Sequence, residues 1–186
     1  MANVDRPSGF RPVGSFSGGS WNGAVRTYPV DASNATAIFP GDAITLEADG
    51  NVTPAAAGGV VLGVCVGIEV DRSVAATEHP GYLPATTAGN IRVCVGDDII
   101  YEVQEDSDSS NLALTDIGAN IDHIAGAGSA TTGRSAHEID SSSVTAAGSA
   151  GFRIIGKVDR VDNEVGTNCK WLVRVHEHHL DQANGI

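Results

Sequence analysis

Gly41-Asp42-Ala43-Ile44-Thr45-Leu46-Glu47-Ala48-Asp49-Gly50-Asn51-Val52-Thr53-Pro54 decides the fold class of this chain. Ile44, Leu46 and Ala48 alternate with Thr45 and Glu47, the period of a half-buried strand. Asp49-Gly50 follows and then a second short β-prone run, Asn51-Val52-Thr53. An Asp-Gly pair between alternating segments specifies a hairpin, because both central residues of a type I′ turn need positive φ. Outward from this hairpin the same pattern recurs. A strand is expected over Ala24–Val30, after the Asn22-Gly23 turn, and another over Val60–Val70. In the latter, alternation places Val60, Leu62, Val64, Val66 and Ile68 on one face. Gly63, Cys65, Gly67 and Glu69 fall on the other, where the glycines predict a close neighbour. Ile91–Val95 and Ile99–Gln104 are split by Gly96-Asp97-Asp98, and two strong strands stand at Phe152–Arg160 and Cys169–His176.

No window longer than about ten residues keeps a helical period. Residues 71–90 read as a loop, 105–111 as a solvated acidic loop, and 112–151 as the least specified region. About eight short strands joined by turn chemistry predict a mainly β protein, a single small β-barrel or β-sandwich domain with little helix. The expected organisation is an extended N-terminal arm at 1–23, a β domain at 24–180 and a C-terminal tail at 181–186.

The arm is spaced by Gly, Ser and Pro, and has too little apolar surface to fold alone. Its aromatics Phe10, Phe16 and Trp21 stand singly, and Arg6, Arg11 and Arg26 face only Asp5 in that stretch. Such a segment reads as an assembly device that presses aromatics into pockets of another surface. The predicted contact residues are Phe10, Arg11, Phe16, Trp21 and Arg26.

The 186-residue chain carries a formal net charge of −12. That balance argues against a nucleic-acid partner and against anionic membranes. No apolar run approaches the ~20 residues of a membrane span, and the first residues lack the zones of a signal peptide, so export by that route is not expected. Cys65, Cys94 and Cys169 are odd in number and widely spaced, so no disulfide framework is expected; Cys65 and Cys94 read as small core hydrophobes.

Four constellations resemble chemistry, and each departs from its template. Gly128 to Ser135 nearly spells a phosphate loop, but Arg134 replaces the lysine and no helix-prone segment follows. Ser135 with His137 and Asp140 lacks the second glycine of a nucleophile elbow. His176, His178 and His179 close the last strand, where alternation puts His176 and His178 on one face, a feasible metal clamp. Asp106, Asp108 and Ser110 open like a calcium loop, yet Asn111 and Ile117 occupy the places of its glycine and its last glutamate. No catalytic residue, cofactor or metal is therefore expected.

One ordered set of motifs resembles a family. It runs from Pro7-x-Gly9-Phe10-x-Pro12-Val13 through Gly41-Asp42-Ala43-Ile44-Thr45-Leu46, Gly63-Val64-x-x-Gly67 and Asp97-Asp98 with Tyr101-Glu102-Val103-Gln104. It continues through Asp116-Ile117-Gly118-x-Asn120, Thr131 to Ser135 and Phe152-Arg153-Ile154-Ile155-Gly156, and closes on Leu172-Val173-x-Val175-x-Glu177-His178. The chain is similar in these respects to capsid decoration, or cement, proteins of tailed bacteriophages. The resemblance implies a non-enzymatic protein on the outer surface of the virion head, made in the host cytoplasm, whose partner is the major capsid protein. The resemblance favours a homo-oligomer, most often a trimer, and dimers and monomers also occur in the family. A different virion role, as a head fibre base or a receptor- or glycan-binding module, would favour repeats or an aromatic platform, and neither is present.

Overall fold

The computed structural model describes residues 3–69, 80–146 and 148–181. Among them the regular structure is β, apart from two single turns of 3-10 helix at Leu114–Asp116 and Ser141–Ser143. Twelve strands run β1 Arg11–Ser15, β2 Arg26–Val30, β3 Ala43–Leu46, β4 Val52–Pro54, β5 Gly63–Ile68, β6 Gly89–Cys94, β7 Ile99–Gln104, β8 Asn120–Ile121, β9 His123–Ile124, β10 Glu138–Ile139, β11 Phe152–Lys157 and β12 Lys170–Val175. They make one five-stranded sheet in the order β1-β7-β12-β11-β8, a second in the order β2-β6-β5-β3-β4, and a β9–β10 pair. All the ladders are antiparallel. The described residues show no sheet closed into a barrel.

The two large sheets share one core. Tyr101, Val103, Phe152, Ile154, Trp171 and Val173 of the first pack with Ala43, Val64 and Cys94 of the second. The polar tips of Tyr101 and Trp171 inside this layer are satisfied, as burial demands, whereas Glu105 Oε1, His123 Nδ1 and Trp21 Nε1 beside it have no hydrogen-bond partner among the described residues. The Tyr101 hydroxyl donates to the Cys94 carbonyl across the sheets at 3.1 Å, and the Trp171 indole N–H donates to Glu105 Oε2 at 3.0 Å. A second cluster covers the other face of the second sheet, where Ile38 and Leu83 close over Ile44, Leu62, Cys65 and Ile91.

The Asp49-Gly50 hairpin forms, with Leu46 opposite Val52, but its turn is not the expected type I′: of the two residues only Gly50 has positive φ, at +87°, and Glu47 N–H donates to the Asn51 carbonyl at 2.8 Å around the loop. Val60–Val70 departs from its expected single face. Val64 and Val66 face the shared core, whereas Leu62, Cys65 and Ile68 face the second cluster. A register shift between Cys65 and Gly67 inserts an extra residue and reverses the alternation there. At Gly63 the neighbour is the Cys94 backbone, and a Cβ would strike that carbonyl. The close approach is thus within the sheet, and Val70 lies outside the described residues.

Two expectations are corrected. The segment 1–23 is not an arm separate from a body at 24–180. Residues 11–15 form β1 and pair with β7, and Phe10 is only 2% exposed, stacked on Phe152 with centroids 4.3 Å apart. The Phe10 N–H donates to the Gly41 carbonyl at 2.8 Å, and Gly9 and Gly41, both at positive φ, allow that approach. Burial of one aromatic and pairing with an existing strand order a stretch whose own propensity is low. Likewise the acidic 105–111 loop is not wholly solvated: Glu105 and Asp106 are buried. Of the tail expected at 181–186, only Asp181 is described, and of the 71–90 loop only residues 80–90 are.

After β12 the chain crosses from the first sheet to the second. Val61 N–H donates to the Glu177 carbonyl at 3.0 Å and His179 N–H returns to the Val61 carbonyl at 3.1 Å.

Candidate binding surface

The five predicted contact residues do not share one environment. Phe10 is a core residue, so it cannot serve as an exposed anchor. Arg11 lies opposite Glu102 in the β1–β7 ladder and donates to its carboxylate at 2.7 Å. Beyond β1 the chain folds back: Ser15 N–H donates to the Gly19 carbonyl and Gly18 N–H to the Ser15 carbonyl, with Gly18 at φ +101°. This turn leaves Phe16 59% exposed, with the Arg174 guanidinium 5.1 Å from its ring centre. Trp21 returns half-buried against the core. It stands between a 520 Å³ cavity, which it lines with Arg11 and Arg134, and a 490 Å³ cavity, which it lines with Arg26. Phe16, Trp21 and Arg26 therefore belong to the surface around that turn, and Arg11 sits at the far edge of the Trp21 cavity.

A basic groove adjoins this surface, and sequence reading did not find it. Glu102 on β7 is flanked by Arg11 on β1 and Lys170 near the start of β12, as neighbouring strands place diagonal residues side by side. Its carboxylate takes Arg11 at 2.7 Å, Arg160 at 3.1 Å and Lys170 at 3.8 Å. Arg6 and Arg134 complete the lining of this 250 Å³ cavity. The only sequence signal was the excess of arginine over acid near the N-terminus; Arg134, Arg160 and Lys170 are brought in by the fold.

The Ser135 constellation does assemble, but with Asp42 in place of Asp140. Ser135, His137 and Asp42 are all buried. Ala43 N–H donates to His137 Nδ1 at 3.2 Å, which leaves Nε2 protonated and 3.6 Å from Asp42 Oδ1. Burial, with His123 nearby, lowers His137 to about 3, and burial raises Asp42 to about 6, so the imidazole is neutral at pH 7. Ser135 Oγ accepts from the His137 backbone N–H at 3.0 Å. The His137 ring nitrogens are turned elsewhere, Nδ1 to the Ala43 N–H and Nε2 toward Asp42, so the serine–imidazole hydrogen bond required for nucleophilic activation is not present. The group joins the ring stack His137–His123–Phe152–Phe10 as packing. Asp42 and His137 also border a 410 Å³ recess walled by Phe39 and Tyr82, and Ser135 does not.

The other motifs have structural partners. Residues 129–134 form a tight turn, with Ser129 N–H donating to the Arg134 carbonyl at 2.9 Å and Gly133 N–H to the Ser129 carbonyl at 2.8 Å. His178 Nε2 meets the Val95 carbonyl at 3.0 Å and its Nδ1 accepts from Leu180 N–H; His179 pairs with Thr45 Oγ1. These two histidines, with His176, do not converge on one point as a clamp would. Asp106 and Asp108 are joined by Asp140, with carboxylate oxygens within 4.8 Å of one another. Each is already engaged: Asp106 by Ser141, Asp108 by Ser110, and Asp140 by Ser142. The three cysteines are buried free thiols, and burial pushes Cys65 up to about 12 and Cys169 up to about 11.

No protein-family model matches this chain, and no curated protein matches it.

Proposed function

We propose that this protein is a non-enzymatic structural component of a tailed-phage virion that binds the outside of the icosahedral head and cements neighbouring major capsid subunits. The observation that carries the reading is the exposed turn after β1, where Phe16 projects into solvent and Trp21 stands between two surface cavities. A large aromatic held half-buried beside open pockets is the kind of residue that dominates protein–protein contacts. A ligand that binds only the expanded shell stabilises it in proportion to RT ln(1 + [L]/Kd). A homotrimer, favoured by the family resemblance, adds avidity because its second and third contacts become intramolecular. The net charge of −12 suits the outer surface and suits poorly a lumen filled with polyphosphate.

Deletion of residues 1–23 does not test this reading, because it removes Phe10 and β1 from the body. The test is co-sedimentation of labelled protein with bare expanded heads. Wild type should pellet saturably. The pair Phe16→Ala and Trp21→Ala should lose at least ~2 kcal/mol of affinity, about thirtyfold. A thermal midpoint within a few degrees of wild type keeps the comparison fair. Failure of wild type to bind, or unchanged binding by the variant, refutes the proposal. A monomer at all concentrations in light scattering, together with single-copy density on heads, removes the trimer.

A further inference from the structure

We propose that the groove centred on Arg134 is the docking site for a carboxylate-rich segment of the partner protein. Five cations, Arg6, Arg11, Arg134, Arg160 and Lys170, line a cavity whose only acidic side chain is Glu102. They are five of the eleven Lys and Arg residues in a chain of net charge −12. Glu102 is shared by three of them, and Arg160 also pairs with Asp162 at 3.3 Å. Among the described residues, Arg6 and Arg134 have no carboxylate within ion-pair distance, and both are exposed. Five cations gathered around two counter-charges repel one another, and a protein this acidic has carboxylates to spare for neutralising them; the fold leaves two guanidiniums open instead.

The shape selects the ligand. Arg134 borders three cavities, of 250, 440 and 520 Å³, joined through Arg6 on one side and Arg11 on the other. Their extent suits an extended chain bearing several carboxylates rather than one compact anion. Guanidiniums take carboxylates as paired, charge-assisted hydrogen bonds. The Arg6 backbone N–H donates to Gln104 Oε1 at 3.0 Å, which fixes the main chain at the groove that Arg6 lines. The groove reaches Trp21 through the 520 Å³ cavity, so the acidic segment would continue onto the aromatic surface.

This inference rests on the reading of the chain as a protein that docks onto other subunits, but its test uses the isolated full chain. The protein, labelled at its arginine side chains, is titrated in about 0.05 M salt, where screening is weak. The probes are a capped tetra-aspartate peptide, a capped tetra-asparagine peptide and inorganic phosphate. Tetra-aspartate should shift the Arg6 and Arg134 side-chain resonances saturably, and tetra-asparagine should not. The double variant Arg6→Gln, Arg134→Gln should bind at least about tenfold more weakly with an unchanged thermal midpoint. The proposal is overturned if tetra-aspartate does not saturate, if the double variant binds equally well, or if phosphate binds more tightly than tetra-aspartate. Any of those results leaves head binding through Phe16 and Trp21 standing, and the co-sedimentation result leaves this one standing.

Discussion

Replacing Phe10 by alanine should cost this protein a large part of its stability. The ring is 2% exposed, stacked on Phe152 at 4.3 Å, and edge-on to Tyr101 at 6.4 Å and to His123 at 6.2 Å. Truncating a buried Phe to Ala costs about 3–5 kcal/mol, from lost transfer energy and the cavity left behind. The upper half of that range is expected here, because three of its neighbours are rigid rings that collapse poorly into the space. Against a typical total of about 5–15 kcal/mol, the loss removes about a quarter or more of the folding free energy. In urea the midpoint should fall with the slope unchanged, and the thermal midpoint should drop by about 8–20 °C. Phe16→Ala, at the start of the exposed turn after β1, should stay within about 0.5 kcal/mol of wild type. A Phe10→Ala loss below about 1 kcal/mol would refute the reasoning. The N-terminal segment would then be a removable strap and not part of the core.

Two further outcomes follow from the buried charges and the glycine contact. Burial raises Glu105 from its ordinary value to about 7, so the folded state holds a proton there that the unfolded state releases. The associated stability is fully present below about pH 4.5 and is lost as pH rises through about 7, on the order of 3 kcal/mol. Glu105→Gln should flatten that decline and gain stability above pH 7 in pH-dependent urea titrations; an unchanged slope would contradict it. Gly41→Ala places a methyl against the Ser8 carbonyl at φ +104°, and should cost at least about 2 kcal/mol by calorimetry, with a neutral result placing the Gly9–Gly41 contact in doubt.

The parts of the fold that could be read from sequence are those in which local pattern and tertiary role agree. Asp49-Gly50 marks its hairpin, though not the turn type, and Ile99–Gln104 forms a strand over the range its composition predicts. β1 was hidden because Pro12 and Gly14 within it, and Pro7 and Gly9 before it, dilute its period; its structure comes from β7 and from the Phe10 pocket, both distant in sequence. The faces of β5 could not be read because a bulge beside Gly67 reverses them. Glu105 and Asp106 read as solvated because their partners, Trp171 and Ser141, meet them only in the fold. At the surface, Phe16, Trp21 and Arg26 were visible as lone aromatics and a cation in a polar stretch. The basic groove was not, since Arg6, Arg134 and Arg160 have no sequence relation until three segments are packed side by side.

The crossings between the two sheets have a mechanical consequence. One lies where Phe10 N–H reaches the Gly41 carbonyl, the other where Val61 exchanges hydrogen bonds with Glu177 and His179. The sheets are therefore stapled near both chain ends, and the staples flank the shared aromatic layer. Tension applied through residues 3–10 and 176–181 would load those backbone bonds and the β1–β7 ladder together, in parallel, before it could part the layer. A body wired in this way yields late and all at once, as a rivet does when the plates it joins are pulled apart.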